Sequence, residues 1–168
     1  MAYIEAQDSE DEYWEEEEDT LRDKFLTFNI GEECYGLELK YVTEIIGIQK
    51  ITRLPEMPEF IKGVINLRGR VVPVIDARIR FHLLEKEYGD RTCIIVIEIE
   101  SSSFGLIVDT VDEVLCIQED WIDPPPQSST LRNKFIKGIG KVGENVIILI
   151  DADKFLTDKE INEITLLS

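Results

Sequence analysis

Short apolar, β-prone runs broken by polar turn residues recur along the body of this chain, which reads as mostly strand. Phe25 to Ile30 is a short β-prone run, Gly31-Glu32-Glu33 is a turn, and Cys34 to Leu39 returns, which predicts a hairpin. The same shape recurs at Cys93 to Ile99, the turn Glu100-Ser101-Ser102-Ser103, and Phe104 to Val108. Ile61 to Leu67, a turn at Arg68-Gly69-Arg70, and Val71 to Ile75 predict another hairpin, echoed by Phe135 to Val142, Gly143-Glu144-Asn145 and Val146 to Ile150. Pro73 lacks a ladder donor and predicts an edge or bulge position. Helices are expected to be short: a couple of turns over Lys40 to Ile46, a segment after Asp76, and Lys154 to Leu166. Asp76 and Asp151 each follow an apolar strand and precede a predicted helix, where a carboxylate serves as N-cap.

These elements are said twice. Phe60-Ile61-Lys62-Gly63 recurs as Phe135-Ile136-Lys137-Gly138, and Ile75-Asp76-Ala77 as Ile150-Asp151-Ala152, both at an offset of 75 residues. Tyr35-Gly36-Leu37 and Val42-Thr43-Glu44-Ile45 recur as Phe104-Gly105-Leu106 and Val111-Asp112-Glu113-Val114, at an offset of 69. Small strands at this spacing are best closed into barrels, which leave few edges. The duplication predicts two barrels with a groove between them, the kind of place where a ligand or partner binds. The copies differ most at Asn66-Leu67-Arg68-Gly69-Arg70 against Lys141-Val142-Gly143-Glu144-Asn145.

Charge separates the chain into two materials. Residues 1 to 23 hold eleven acids against Arg22, a balance of −10, which leaves −7 of the total −17 for the other 145 residues. The run Glu15-Glu16-Glu17-Glu18-Asp19 repels itself and buries little, so residues 1–22 are expected to form a disordered acidic extension. The acidic balance opposes nucleic acid as a partner, apart from a local cluster of Lys62, Arg68, Arg70, Arg78 and Arg80. Hydrophobic residues at 43% and charged residues at 32% suit a globular protein. No apolar run reaches the ~20 residues that span a bilayer, and a cytoplasmic location is the expectation.

The search for chemistry returns little. Cys34, Cys93 and Cys116 are set among aliphatic residues and read as small core fillers, since neither a disulfide framework nor a zinc spacing fits. His82 is the only histidine, so a metal cluster or nucleophile–histidine dyad would rest on it alone, and it reads as flanking a helix. Carboxylate pairs such as Glu98 and Glu100, or Asp112 and Glu113, read as solvated strand faces in a chain with 35 acids. There is no phosphate loop, cofactor box or metal spacing. Catalytic, cofactor-binding and metal residues are therefore assigned to none, and an enzyme is the losing reading.

What remains is the segment Gly63-Val64-Ile65-Asn66-Leu67-Arg68-Gly69, followed by Val72-Pro73-Val74-Ile75-Asp76. An arginine before glycine at a tight turn projects a planar donor fork that suits carboxylates or backbone carbonyls of a partner. This segment resembles the signature of the CheW family of bacterial chemotaxis coupling proteins. The resemblance extends over residues 23–165, with Tyr35-Gly36, Val42 and Glu44 like the family's first block and Gly105, Val108-Asp109, Val111 and Val114 like its second.

The resemblance implies a mainly β fold of two five-stranded SH3-like barrels. On this reading one domain, 23–165, consists of subdomains at about 24–82 and 92–155 with a C-terminal helix. It implies a non-enzymatic cytoplasmic adaptor, recruited to membrane-associated receptor arrays without inserting in the membrane. Its partners would be the cytoplasmic hairpin tip of chemoreceptors and the regulatory domain of the histidine kinase CheA. Val42, Glu44, Lys62, Arg68, Gly69 and Val114 are expected at the receptor-facing groove, and Leu26, Leu39 and Ile45 at the kinase interface. Ala77 stands where the motif often carries a bulkier aliphatic. The loop Pro124-Pro125-Pro126-Gln127-Ser128 lacks the aromatic that some members use for a second kinase contact. Two rivals remain: the same module cut from a kinase or receiver-fused coupling protein, and a small-ligand or nucleic-acid-binding barrel using the Lys62 to Arg80 cluster.

Overall fold

The computed structural model describes residues 21–125 and 135–154. Its strands are β1 (Lys24–Ile30), β2 (Glu33–Glu38), β3 (Val42–Gly47), β4 (Ile61–Leu67), β5 (Arg70–Asp76), β6 (Cys93–Ile99), β7 (Ser102–Val108), β8 (Thr110–Cys116), β9 (Ile122–Asp123), β10 (Ile136–Val142) and β11 (Asn145–Ile150). One α-helical turn, α1 (Ala77–Arg80), follows β5, and short 3-10 turns lie at Leu39–Tyr41, Glu119–Trp121 and Ala152–Lys154. The four predicted hairpins form with antiparallel registers that close at Ile30 with Glu33, Leu67 with Arg70, Ile99 with Ser102 and Val142 with Asn145.

The strands make two bent sheets, a six-stranded one ordered β8-β1-β2-β11-β10-β9 and a five-stranded one ordered β3-β6-β7-β5-β4. They form the two SH3-like barrels. The division expected at about 24–82 and 92–155 needs correction, because neither sheet is built from one repeat. The β1–β2 hairpin of the first copy joins β8, β9, β10 and β11 of the second, and the β6–β7 hairpin of the second joins β3, β4 and β5 of the first. Two parallel pairings make the exchange: Gly36 of β2 against Leu149 of β11, and Gly105 of β7 against Val74 of β5. These are equivalent positions under the two offsets. A Cβ on Gly105 would lie 2.6 Å from Ile94 Cγ2, and one on Gly36 2.8 Å from Leu149 Cδ2. The repeated glycine lets neighbouring side chains cross the strand at each exchange point.

The repeated Phe-Ile-Lys-Gly and Ile-Asp-Ala phrases have a joint cause. Asp76 N–H donates to Phe60 O at 2.8 Å, and Asp151 N–H to Phe135 O at 2.7 Å, so each phrase pins the start of one strand to the end of its partner. In both copies the register slips just before the glycine, between Ile61 and Gly63 and between Ile136 and Gly138. Such a bulge bends the strand, as barrel closure requires. Arg80 lies between the two repeated phenylalanines, its guanidinium carbon 4.4 Å from each of the Phe60 and Phe135 ring centres. A flat cation between two π faces ties the copies together at their junction.

Packing follows the exchange. One buried cluster, with Phe28, Leu37, Ile75, Ile97, Phe104 and Phe135 among its members, draws on both sheets. Ile65, Val72, Val74, Ile94, Val96 and Ile107 fill the five-stranded barrel, while Phe25, Ile117, Ile147 and Leu149 fill the other. Pro73 is not on an edge strand, since β5 lies between β7 and β4; it is accommodated because it faces Val64, whose own N–H and C=O bond to Thr52, and because the parallel pairing with β7 begins only at Val74.

Three expectations change. The couple of helical turns over Lys40 to Ile46 reduce to the 3-10 turn at Leu39–Tyr41 and then strand β3, because four of the five residues Val42 to Ile46 are β-branched and favour the pleat. Cys34 and Cys93 are half-buried against the core, but Cys116 is exposed rather than a core filler. Residues 1–20 of the acidic extension, Pro126-Gln127-Ser128 and the helix expected over Lys154 to Leu166 lie outside the described residues, except that Lys154 ends a 3-10 turn.

The N-cap expectation holds. The Asp76 carboxylate accepts from Arg78 N–H at 2.9 Å and Ile79 N–H at 3.3 Å, and from the Tyr88 hydroxyl at 2.7 Å. Burial, and then the bond to Asp76, push the Tyr88 hydroxyl well above its ordinary range. Asp76→Ala removes a cap and strands the buried end of Tyr88, so it should lower unfolding free energy by about 2–3 kcal/mol. A urea midpoint unchanged from wild type would contradict that reading.

Candidate functional site

The hairpin joining β4 and β5 is as tight as a hairpin can be. Leu67 pairs with Arg70, leaving Arg68 and Gly69 as the two turn residues, with φ of 52° and 86°. Positive φ at both positions is the mark of a type I′ turn, whose twist matches that of the flanking strands. Asn66 Oδ1 accepts from Gly69 N–H at 2.9 Å and braces the turn from inside. The arginine therefore stands on a rigid base, with 78% of its side chain exposed.

Its tip has one carboxylate partner. Arg68 Nη2 donates to Glu44 Oε2 at 2.8 Å. Glu44 belongs to β3 and Arg68 to the β4–β5 turn, and β3 and β4 are the two outer strands of the five-stranded sheet. The ion pair thus spans the seam at which the sheet curls round on itself. It leaves further guanidinium N–H groups for a partner's oxygen atoms. In the second repeat the equivalent of Glu44 is Glu113, but Gly143 and Glu144 occupy the turn and bring no cation. The break in the repeat is a break in charge.

The other expected receptor-facing residues divide. Val42 is on β3, half-buried against the core shared by the barrels, one bulge away from Glu44. Lys62 is on β4 six residues before Arg68, roughly 20 Å along the strand. Only 16% of its side chain is exposed, and it is ion-paired with Glu85, away from the turn. Val114 is on β8, the outer strand of the other sheet, opposite Leu26 and 47% exposed. So Glu44, Arg68 and Gly69 are brought together, and Lys62 is not part of their cluster.

Among the expected kinase-facing residues, Ile45 is 43% exposed on β3 and Leu39 is half-buried in the 3-10 turn. Leu26 needs correction: at 3% exposure it is part of the core, because β1 is buried on both faces, Leu26 and Phe28 in the cluster shared by the sheets and Phe25 in the core of the six-stranded barrel. It supports the surface and offers it no side chain. Four of the exposed apolar side chains among the described residues follow the repeat. Ile45 and Val114 are equivalent, as are Val71 and Val146, which are 51% and 58% exposed and drew no notice in the sequence.

The cationic cluster from Lys62 to Arg80 disperses. Lys62 is taken by Glu85, Arg68 by Glu44, Arg78 by Asp109, and Arg80 by the two phenylalanines. No continuous cationic face survives for a phosphate backbone. Arg78 and Asp109 form a clamp that sequence separation hid: Nε donates to Asp109 at 2.9 Å and Nη2 at 2.6 Å, while Asp109 also accepts from Gly31 N–H at 2.8 Å. Burial alone would raise the Asp109 pKa, but the bonds from Arg78 and Gly31 outweigh it and hold it below the ordinary carboxylate value. A folded-state pKa below the unfolded one gives stability that is fully present above about pH 4 and is lost as pH falls through the depressed value. Asp109→Asn should flatten the acid limb of a stability–pH curve; an unchanged acid limb would show that the clamp does not contribute to it.

Among the described residues there is no cluster of three His, Cys, Asp or Glu side chains fit to hold a metal, and no helix long and apolar enough to cross a membrane. Two half-exchanged SH3-like barrels carrying a braced arginine turn define a scaffold that works by docking. Comparison with known proteins agrees. A model of the CheW-like domain matches residues 24–160, and the chain belongs to that family. It is 38% identical over 143 residues to the chemotaxis protein CheW of Klebsiella aerogenes, covering 84% of this chain and 86% of that one. It is 37% identical over 139 residues to the CheW of Bacillus subtilis, covering 82% and 88%. The crystal structure of the scaffolding protein TtCheW from Thermoanaerobacter tengcongensis matches with a TM-score of 0.76 at 40% identity, over 82% of this chain and 94% of that one. The chain is a chemotaxis adaptor of a family that scaffolds and does not catalyse.

Proposed function

We propose that this adaptor couples the cytoplasmic hairpin tip of chemoreceptors to the regulatory domain of the histidine kinase CheA. The observation that carries the reading is Arg68, exposed at a rigid type I′ turn and held by Glu44 in one repeat only. Glu44, Arg68 and Gly69 form the centre of the receptor surface, with Val42 behind them and Val114 on the facing sheet. Lys62, tied to Glu85, serves the margin of that surface. Leu39 and Ile45 form the kinase surface, which leaves Leu26 the role of supporting core. The protein acts in the cytoplasm and joins membrane-associated arrays through these partners.

Two separate surfaces suit an adaptor. Once one partner is held, the second binds at an effective concentration of about millimolar, so contacts of about micromolar affinity suffice. An NMR titration with a receptor hairpin fragment should shift the amides of Glu44, Arg68, Gly69 and Val114. A titration with the kinase regulatory domain should shift those of Leu39 and Ile45. If both partners perturb the same residues, the two-surface reading fails. Weak binding of single-stranded nucleic acid at low salt is not expected, since three of the five cations that would serve it are ion-paired and Arg80 lies between two phenylalanines.

A further inference from the structure

Two-residue turns close the four hairpins, and one of these turns is built differently from the rest. Gly31, Glu100 and Gly143 open three of them with φ of 64°, 56° and 61°, and the residue after each keeps a negative φ. In the β4–β5 turn Arg68 and Gly69 both have positive φ. Arginine is a poor choice for the left-handed region, where its Cβ crowds the following carbonyl oxygen. Asn, Asp or Gly is the ordinary first residue of such a turn. The equivalent turn of the second repeat takes the ordinary course, with Gly143 at the position of Arg68 and Lys141 at that of Asn66. The first repeat thus differs in two linked ways. It sets a long cation at an unfavourable position, and two residues earlier it places a side chain with an acceptor oxygen.

That oxygen has a definite use. In a two-residue turn the N–H of the second residue has no partner in the ladder, and here it belongs to the peptide group joining Arg68 to Gly69. Gly69 N–H donates to Asn66 Oδ1 at 2.9 Å. Holding this planar group fixes ψ of Arg68 and φ of Gly69, and with them the direction in which the arginine leaves the hairpin. The far end of the side chain is held by Glu44, 2.8 Å from Nη2. A side chain fixed at both ends loses less freedom when a partner binds than one that must first be ordered.

We infer that Asn66 is a positioning residue of the receptor surface: its amide oxygen holds the Arg68–Gly69 peptide at the rotation that aims the Arg68 fork at a carboxylate or carbonyl of the partner. This rests on the function proposed above for Arg68, and adds that aim as well as charge sets receptor affinity. Asn66 acts through Arg68 and makes no contact of its own with the partner.

The test measures the affinity of the full chain for a receptor hairpin fragment, together with kinase association and hydrogen exchange at the Gly69 amide. Asn66→Ala should weaken receptor binding by about tenfold, the scale of ordering one long side chain, and leave kinase association near wild type. Asn66→Ser and Asn66→Asp keep an oxygen for Gly69 N–H and should bind within about threefold of wild type. If both lose as much as the alanine variant, the Asn66 side chain touches the partner directly and the inference fails. Exchange at Gly69 should be several-fold faster in Asn66→Ala and restored in the other two; a rate unchanged by Asn66→Ala would overturn the brace without reference to any receptor. Arg68→Glu separates the two levels. Wild-type binding by Arg68→Glu removes the proposed receptor surface and the inference with it, whereas loss by Arg68→Glu beside wild-type binding by Asn66→Ala removes the positioning role alone.

Discussion

Arg68→Glu should abolish co-sedimentation of this protein with chemoreceptors while leaving kinase association and fold largely intact. The substitution replaces a donor fork by a carboxylate and sets a like charge opposite Glu44, whose present partner is a cation 2.8 Å away. Loss of one partner from a charge pair at an interface commonly costs about 2–5 kcal/mol, so receptor binding should weaken by about thirtyfold to several thousandfold. Stability should change far less. The arginine side chain is 78% exposed, and exposed pairs contribute about 0–1 kcal/mol. Arg68→Lys separates charge from geometry, since an ammonium keeps the charge and loses the fork. Wild-type levels of Arg68→Glu in the receptor pellet would remove the turn from the binding surface.

The largest loss of stability is expected at Gly63→Ala. Gly63 has a φ of 148°, and a Cβ there would lie 2.2 Å from Thr52 O. The oxygen belongs to a backbone that is itself fixed: Thr52 and Val64 exchange two hydrogen bonds, at 2.8 and 2.9 Å. Neither side can yield without opening that bridge, so the cost combines steric overlap, backbone strain and lost hydrogen bonds, on the order of 3–5 kcal/mol. Gly69→Ala is the control. Gly69 also has positive φ, 86°, but a Cβ there would meet nothing within 4 Å, so only conformational strain of about 1 kcal/mol remains. Chemical denaturation of the two variants should differ by at least about 2 kcal/mol; equal midpoints would show that the bulge can relax around a methyl group.

The hairpins could be read from the chain because their cause is local. Short β-prone apolar runs marked β1, β2 and β4 to β7, alternating on β4 and buried on both faces in β1, β5, β6 and β7, and the turn residues marked where they end, so the Arg68-Gly69 turn was visible too. The Asp76 cap was visible for the same reason. Strand β3 was misread as helix because Lys40 to Ile46 is brief enough for its apolar residues to fit either period, and β-branching was the better guide. What could not be read was long-range. The exchange of hairpins between barrels depends on parallel pairings of Gly36 with Leu149 and Gly105 with Val74, and period-two patterning is silent on which strand lies next to which. A faint signal existed in the two equivalent glycines, each set within a strand, where close approach is the usual reason for glycine. The placement of Leu26 failed for a related reason: β1 meets core on both faces, Leu26 on one and Phe25 on the other, and only the tertiary packing shows that. Within the site, the resemblance supplied Glu44 and Arg68 separately, but their pairing across the barrel seam came from the fold.

The exchange of hairpins also governs when the molecule can fold. Gly36 finds its neighbour Leu149 only after 113 further residues have been made, so the six-stranded barrel cannot close until nearly the whole chain exists, while the five-stranded one has all its strands by Val108. A high proportion of such distant contacts predicts slow, all-or-none folding. It also means that a nascent β1–β2 hairpin waits with an unpaired edge until β8 and β11 arrive, the stage at which a chaperone would matter most. The same topology ties the two barrels together in the finished protein, for the chain passes from one sheet to the other between β2 and β3 and between β7 and β8, and the two share a core cluster.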